Sequence, residues 1–291
     1  AHGLDSAQFA LEQIVLRVVD ADLIVMGDDA KPSGSQLMGT YLAACELLER
    51  VLGVRWLWPG ELGTVIPKRS TVTVPSDLSV DFTPPVIRRG IRNIQYNERV
   101  QRGLDKLGFT REQFEAVHAA GADWFRRHRI GGSFNGSYGH AFGTWWEQYG
   151  AAHPDWFALQ PDGTRDQSKS PDRARLCVSN PELIAEIARV KIAELSANPD
   201  LDCVSISPND GGSTTFCTCE RCEAWDHPDG PIIQIYWPDA PDRRRDHVSL
   251  SDRYFKFYSA IAEIVAREHP NRMLGAYAYS AYRTVPIAAP V

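Results

Sequence analysis

Residues 201–212 read LDCVSISPNDGG, a largely apolar strand that runs directly into a turn. The run 201–207 predicts a buried strand, and Pro208 discourages further pairing because it has no backbone N–H. Ligands of parallel α/β folds bind at the carboxyl ends of the strands. Asp210 is therefore a candidate catalytic acid/base, and Asn209 a candidate partner for a sugar hydroxyl. Asn-Asp-Gly-Gly is also an ordinary turn sequence, and that alternative stays open.

The elements around this strand alternate between strands and helices. A capping-box pattern begins a helix at Thr110, Asn180 supplies an N-cap before a first-turn proline, and Ser251 opens a third helix. This alternation predicts a parallel sheet with crossover helices. We count about five strands in residues 86–291, fewer than a complete barrel has. The predicted fold is therefore the N-terminal part of a (β/α)8, TIM-type barrel, truncated at its C-terminus, or alternatively a compact open sheet.

Residues 1–85 predict a separate, small α/β domain. Two short β-rich runs within residues 14–26 have the spacing of a hairpin, and apolar residues keep helical spacing over 35–52. An aromatic strand follows, and we expect its Trp56 and Trp58 to be buried, because one small sheet cannot cover both rings alone. The overall fold class is α/β, with a domain division near residue 85.

Composition and missing motifs exclude several function classes. The 291 residues carry 31 Lys and Arg against 37 Asp and Glu, a net charge of −6, which argues against a nucleic-acid partner. No apolar run is long enough for a membrane span. The sequence has no phosphate-binding loop, no dinucleotide fingerprint, no HExxH and no nucleophile elbow. The missing motifs therefore argue against nucleotide-dependent enzymes, zinc proteases of that class and typical α/β hydrolases, and we expect no cofactor for catalysis.

Two further predicted strand ends carry side chains suited to a sugar. His140 can hydrogen-bond a hydroxyl and Trp145 can stack on a sugar ring, while Tyr277 and Tyr279 give one strand face two phenols. Near the start of the predicted barrel, Arg92 is a candidate to bind a carboxylate or a sulfate. Structural roles explain each of these residues as well: a hydrogen-bonding histidine, core aromatics and a surface arginine.

The six cysteines fall into two groups. Three lie in apolar patterns and are interpreted as small buried side chains: Cys45, Cys177 and Cys203. Cys217, Cys219 and Cys222 lie within six residues and can hold a structural zinc ion. The fourth ligand would then be Asp226, His227 or a distant residue. A disulfide or free thiols are the alternative.

Several of these motifs together resemble known families. The barrel part resembles the bacterial domain-of-unknown-function family 4838 through GHAF at 139–142, HPDWFAL at 153–159, LCVSNP at 176–181, SISPND at 205–210 and the cysteines of 217–222. The N-terminal part resembles the small domain before the catalytic barrel of family 20 hexosaminidases and family 67 α-glucuronidases, through GTY at 39–41, LLERVLGVRW at 47–56 and PGELG at 59–63.

The resemblance implies a glycosidase-like barrel that is exported, secreted or periplasmic, and acts on polysaccharide. Family 20 enzymes use an adjacent Asp-Glu pair where this chain has Asn209 and Asp210, which counts against their N-acetyl-assisted mechanism. Many barrel glycosidases have Asn followed by an acidic acid/base at the end of the fourth strand, and Asn209-Asp210 matches that pattern with Asp in place of Glu. The second catalytic carboxylate is then expected beyond Val291.

The leading hypothesis is a glycoside hydrolase that cleaves a poly- or oligosaccharide by carboxylate acid/base chemistry. The first alternative is a non-catalytic carbohydrate-binding or scaffold protein on a degenerate glycosidase barrel. The second alternative is a metal-stabilised structural module whose cysteine loop contacts a partner. A second carboxylate within roughly 5–10 Å of Asp210 separates the enzyme from the other two.

Overall fold

The computed structural model describes residues 3–29, 39–86, 88–91, 97–131 and 134–288. Helices and strands are mixed throughout, so the chain has the predicted α/β character. It divides into two compact units, Ala1–Phe134 and Asn135–Val291. No helix in the described part of the chain has the length and apolar character that a membrane crossing requires.

The first unit has a three-stranded antiparallel sheet in the order β2-β1-β5. Its elements are β1 (Ile14–Val19), β2 (Asp22–Gly27), α1 (Gly39–Leu47), β3 (Arg55–Trp56), β4 (Thr64–Val65), β5 (Ser79–Phe82), α2 (Glu98–Leu107) and α3 (Arg111–Arg127). The apolar face of β1 packs against α1, with Ile14, Leu16 and Leu42 at most 1% exposed. The predicted hairpin is confirmed by the pairing of β1 with β2.

Local sequence signals in this unit are confirmed where they concern helix ends. Thr110 caps α3: its hydroxyl accepts from the backbone N–H of Gln113 at 3.2 Å, and the Gln113 side chain accepts from the Thr110 N–H at 2.8 Å. The expectation for the aromatic strand is only half right. Trp56 is 6% exposed, but Trp58 is 64% exposed because it lies in the bend that follows β3.

The division between the units follows Phe134, about 50 residues beyond the domain division predicted from the sequence. Residues after 85 pack onto the N-terminal sheets, which explains the difference. The Arg89 guanidinium pairs with Glu12, and Trp124 of α3 donates from its indole Nε1 to the Trp56 carbonyl at 2.7 Å. The domain division itself stays a prediction.

The second unit carries the candidate site. Its elements are α4 (Trp145–Tyr149), α5 (Pro181–Ala197), β6 (Cys203–Ser205), α6 (Glu220–Glu223), β7 (Ile232–Tyr236), β8 (Arg244–Val248), α7 (Ser251–Glu268) and β9 (Met273–Gly275). The predicted N-cap of α5 is confirmed, since the Asn180 side chain accepts from the N–H groups of Glu182 and Leu183. The predicted start of α7 at Ser251 is confirmed as well.

Three strand segments of this unit run in parallel. β6 pairs with β9, and isolated parallel bridges join Gly136 to Cys203 and His140 to Ser207 on its other side. α5 precedes β6 and α7 precedes β9, as in βα repeats, and the two helices contact each other. Among the described residues the strands form sheets of two or three, and none closes into a barrel. The barrel therefore stays a prediction.

Candidate functional site

The carboxyl ends of the three parallel segments meet at one edge of the small sheet. The first ends at His140, β6 continues to Ser207, and the chain after β9 continues to Tyr279. Parallel strands bring their carboxyl ends to the same edge, which is where the sequence places the candidate site. Pro208 follows β6, and its carbonyl lies 2.5 Å from Nδ1 of His140. The strand end and the histidine are thus joined directly.

Asp210 lies at the centre of this edge. Its Oδ1 accepts a hydrogen bond from the Tyr279 hydroxyl at 3.0 Å and lies 4.0 Å from Nε2 of His140. Its Oδ2 lies 4.0 Å from Nη1 of Arg173. The carboxyl is 41% exposed, so it is open to a ligand while three side chains surround it. Asp210, His140 and Tyr279 are therefore brought together, as the sequence predicted for their positions.

The ring of His140 has a defined hydrogen-bonding state. A carbonyl oxygen only accepts, so Nδ1 carries the hydrogen that it donates to Pro208. In the neutral ring, Nε2 is then an acceptor. The 4.0 Å between Nε2 and Asp210 is too long for a direct hydrogen bond. A ligand hydroxyl that bridges these two atoms could donate its hydrogen either to Nε2 of His140 or to the Asp210 carboxylate.

Two tyrosines complete this wall of the site. The ring of Tyr277 meets His140 edge to face, with 5.3 Å between the centroids, and lies 6.0 Å from the ring of Tyr279. The hydrogen bond and the negative charge of Asp210 raise the pKa of Tyr279 above its ordinary value. Tyr279 therefore stays protonated, and keeps donating, through the neutral pH range.

Two sequence-predicted binding residues are buried and are not placed for ligand contact. Asn209 is 3% exposed, and its amide donates to the carbonyls of Phe142 and Ala174 and accepts from the Phe142 N–H. Trp145 is 5% exposed and packs edge to face on Phe142 in the core. Both are corrections: Asn209 anchors the loop, and Trp145 fills the interior. Arg92 lies outside the described residues.

Arg173 and Arg175, neither of which was predicted from the sequence, lie on the other side of Asp210. Arg175 donates from Nη2 to the Asp210 carbonyl at 3.2 Å, and its guanidinium carbon lies 3.8 Å from the centre of the Phe216 ring. Gly211 has φ +76°, and a Cβ there would lie 2.2 Å from Nη2 of Arg175. A side chain at position 211 would therefore strain the backbone and push the Arg175 guanidinium aside. Arg175 is 35 residues from Asp210 in sequence, so no local pattern could indicate the pairing.

Four cysteines form a second, buried cluster. The sulfurs of Cys177, Cys217, Cys219 and Cys222 all lie within 4.8 Å of one another and could hold a metal ion. Cys177, interpreted from the sequence as a small core side chain, is the fourth member, in place of Asp226 or His227. Its sulfur lies 3.6 Å from that of Cys219 and 3.8 Å from that of Cys222. The disulfide alternative is not what the structure has, since all four cysteines are unpaired.

The surroundings of the cluster favour the thiolate form of Cys177 and Cys219, while hydrogen bonding and burial raise the pKa of Cys217 and Cys222. The backbone N–H of Leu159 donates to the Cys217 sulfur at 3.3 Å, and the Ser179 hydroxyl lies 3.1 Å from that of Cys222. A hydrogen bond from the Cys217 thiol lowers the pKa of Cys219 to about 6. Hydrogen bonds from Cys217 and Cys222 lower the pKa of Cys177 well below its ordinary value. Such thiolates are the ligands of soft metal ions.

Asp226 has a different role from the one first considered. It pairs with Arg253, which is 1% exposed and also donates from Nη1 to the Cys217 carbonyl at 2.7 Å. The Arg253 Nε lies 2.8 Å from the Asp226 carboxylate. This buried pair supports the cysteine loop from α7.

The cysteine cluster and Asp210 are linked through one stacked pair. Arg175 lies two residues before Cys177, and Phe216 immediately precedes Cys217. The arginine that holds the Asp210 carbonyl thus rests on a ring next to a cluster cysteine. We therefore expect a change that loosens the cluster to disturb this stack.

Comparison with known proteins gives one match. A family model described as "Domain of unknown function (DUF4838)" matches residues 58–290, most of the chain. The searches of curated proteins and of solved structures returned no match.

Proposed function

Since the chain belongs to the DUF4838 family, whose description names no activity, we propose from its site that the protein is a glycoside hydrolase. In this proposal the three parallel segments are part of a (β/α) barrel, and the substrate is a poly- or oligosaccharide. The support is the position of Asp210 at the carboxyl edge of these segments, the location of barrel active sites.

The observation that carries the proposal is the set of groups around Asp210. One half-exposed carboxyl lies between a phenol that donates to it at 3.0 Å and an imidazole 4.0 Å away. A carboxyl in that position can exchange a proton with a glycosidic oxygen. Neighbouring hydroxyls of the sugar can bond to Nε2 of His140 and to Tyr279.

Asp210 acts as the acid/base of the reaction. Its proton passes to the glycosidic oxygen while the bond from that oxygen to the anomeric carbon breaks. Water adds to the anomeric carbon and loses a proton to a second carboxylate, so the net change is hydrolysis. Acid/base assistance of this kind contributes about 10²–10⁴-fold in rate.

Asp172 is the residue to test as the second carboxylate. Its Oδ2 lies 3.8 Å from Nε of Arg173, whose Nη1 lies 4.0 Å from Asp210. Two carboxylates on one guanidinium lie no more than about 10 Å apart, near the largest separation that glycosidase pairs use. Hydrolysis that survives in Asp172→Asn would assign the second role elsewhere.

We also propose that the ion held by the four cysteines is zinc. Four thiolates around zinc at about 2.3 Å form a tetrahedron with edges of about 3.8 Å. The Cys177 sulfur lies 3.6 and 3.8 Å from two of its neighbours, which fits that geometry. A closed set of four cysteines leaves no open position for substrate, so the ion stabilises the fold and takes no part in hydrolysis. Elemental analysis with thiol counting tests this assignment.

The hydrolase proposal is tested by incubating the purified full chain with a panel of neutral and acidic aryl glycosides and oligosaccharides. Reducing-end release from at least one member, abolished in Asp210→Asn, is the expected result. Binding of a saccharide with no release from any member would favour the non-catalytic binding protein instead.

A further inference from the structure

Arg173 lies beside Asp210, and its guanidinium makes no close ion pair or hydrogen bond with the described residues. It ends the 3-10 turn Pro171–Arg173, and its side chain is 54% exposed. Its guanidinium approaches Asp172 at 3.8 Å and Asp210 at 4.0 Å, both beyond hydrogen-bond distance. Among the residues that the structure describes, no group accepts a hydrogen bond from this guanidinium. Its donors are therefore available to a ligand.

Close packing between two loop segments places Arg173 beside Asp210. A Cβ at Gly212 would lie 2.5 Å from the Ser170 hydroxyl and 3.5 Å from Cδ of Arg173. The loop that carries Asp210 thus touches the turn that carries Arg173, with no room for a side chain between them. This contact places the base of the Arg173 side chain beside the loop, and the guanidinium lies 4.0 Å from the Asp210 carboxyl.

Arg175 adds a second, immobile positive charge. Its guanidinium lies against Phe216 at 3.8 Å, donates from Nη2 to the Asp210 carbonyl, and has a buried Nε without a partner among the described residues. The charged side chains that face Asp210 are then Arg173, Arg175 and, when protonated, His140, with Asp172 beyond Arg173. An anion entering beside the Asp210 carboxylate would be repelled unless cations offset its charge.

We propose that Arg173 binds an anionic group of the saccharide, a carboxylate or a sulfate ester, next to the bond presented to Asp210. The planar guanidinium offers paired N–H donors that match both oxyanions. This inference rests on the proposed function for the position of the scissile bond. Its binding part stands on the arrangement of Arg173 and its neighbours alone. From the sequence, Arg92 was the residue expected to bind a carboxylate or a sulfate.

Ligand binding to the full chain tests the inference by calorimetry. The probes are glucuronate and galacturonate, the 6-sulfates of glucose and galactose, and neutral glucose and galactose. Arg173→Gln is compared with Arg173→Lys and with Arg189→Gln. Arg189 is an exposed arginine, 66% against 54% for Arg173, and it pairs with Glu186 on α5. Thermal unfolding of each variant confirms that it folds.

We expect wild type to bind at least one acidic probe more tightly than its neutral counterpart. Arg173→Gln should weaken that binding by about 10- to 100-fold, as hydrogen bonds to charged groups require. Arg173→Lys should restore part of it, and Arg189→Gln should change nothing. Carboxylate and sulfate are told apart by which acidic probe depends on Arg173.

The inference is overturned if none of the four acidic probes binds in an Arg173-dependent way, or if Arg173→Gln weakens acidic and neutral probes equally. Its failure is distinguishable from that of the proposed function. Hydrolysis of neutral substrates without acidic preference would leave the function standing and remove the inference. Arg173-dependent binding of an acidic probe, with no hydrolysis of any glycoside, would do the reverse.

Discussion

The Tyr279 hydroxyl donates a 3.0 Å hydrogen bond to Oδ1 of Asp210, although 69 residues separate the two in sequence. Each residue follows a strand, β6 for Asp210 and β9 for Tyr279, and the two strands pair in parallel from Cys203 opposite Met273. The bond thus connects neighbouring strand ends and orients the carboxyl proposed to act on substrate.

Tyr279→Phe removes this donor while keeping the ring. We expect hydrolysis to slow by about tenfold, since a hydrogen bond to a charged group contributes about 1.5 kcal/mol or more. The matched control is Tyr236→Phe on the β7–β8 hairpin, where no effect is expected. Steady-state rates of hydrolysis of the best substrate measure both effects. Equal rates for the two variants would show that Tyr279 has no part in the mechanism.

The same pair has a defined pH dependence. Asp210 raises the pKa of Tyr279, so the hydrogen bond is fully present below the ordinary tyrosine pKa of about 10 and is lost as pH rises through the higher, folded-state value. Ultraviolet titration of the folded protein should therefore lack one late phenolate transition in Tyr279→Phe. If the transition that Tyr279→Phe lacks lies instead at the ordinary tyrosine pKa, the pKa of Tyr279 is not raised.

Gly211→Ala tests the contact between the Asp210 loop and Arg175. A Cβ at Gly211 would lie 2.2 Å from Nη2 of Arg175, at φ +76°. Gly163→Ala is a matched control, because Gly163 has φ +80° and nothing within 4 Å of its added Cβ.

Both variants should lose about 1–2 kcal/mol from backbone strain. Only Gly211→Ala should also displace Arg175 and lower kcat/KM. Chemical unfolding with parallel kinetics measures both effects. If Gly163→Ala lowers kcat/KM as much as Gly211→Ala does, the Arg175 contact has no special role.

Cys177→Ser tests the fourth ligand of the cysteine cluster. We expect bound zinc to fall from about one per chain to a small fraction, because a structural site needs all four ligands. The melting temperature should fall with it. Cys45→Ser, a buried cysteine of the first unit, is the control and should keep its zinc. Full zinc content in Cys177→Ser would show that three cysteines suffice.

Local sequence signals predicted helix starts correctly. Thr110 with Gln113, and Asn180 with Pro181, marked helix starts because capping depends on residues no more than three positions apart. The grouping of Asp210 with His140 and Tyr279 followed from one rule, that parallel strand ends share an edge.

The rest depended on contacts between distant segments. Cys177 lies 40 residues before Cys217 and looked like any buried cysteine of a strand. Trp145 and Asn209 were interpreted as ligand-facing, but the direction of a loop side chain is set by packing that sequence alone does not specify. Arg173 lies 37 residues before Asp210 in sequence, and the two meet in the structure where the loop at Gly212 approaches Arg173 closely.

The most direct test of the account compares Asp210→Asn with wild type on a cleavable glycoside, measuring turnover and binding together. Asp229→Asn is the control, since that carboxylate is 86% exposed on a loop. The account predicts that Asp210→Asn lowers kcat by about 10²–10⁴-fold while substrate affinity changes little. Cleavage by Asp210→Asn at the wild-type rate would contradict it.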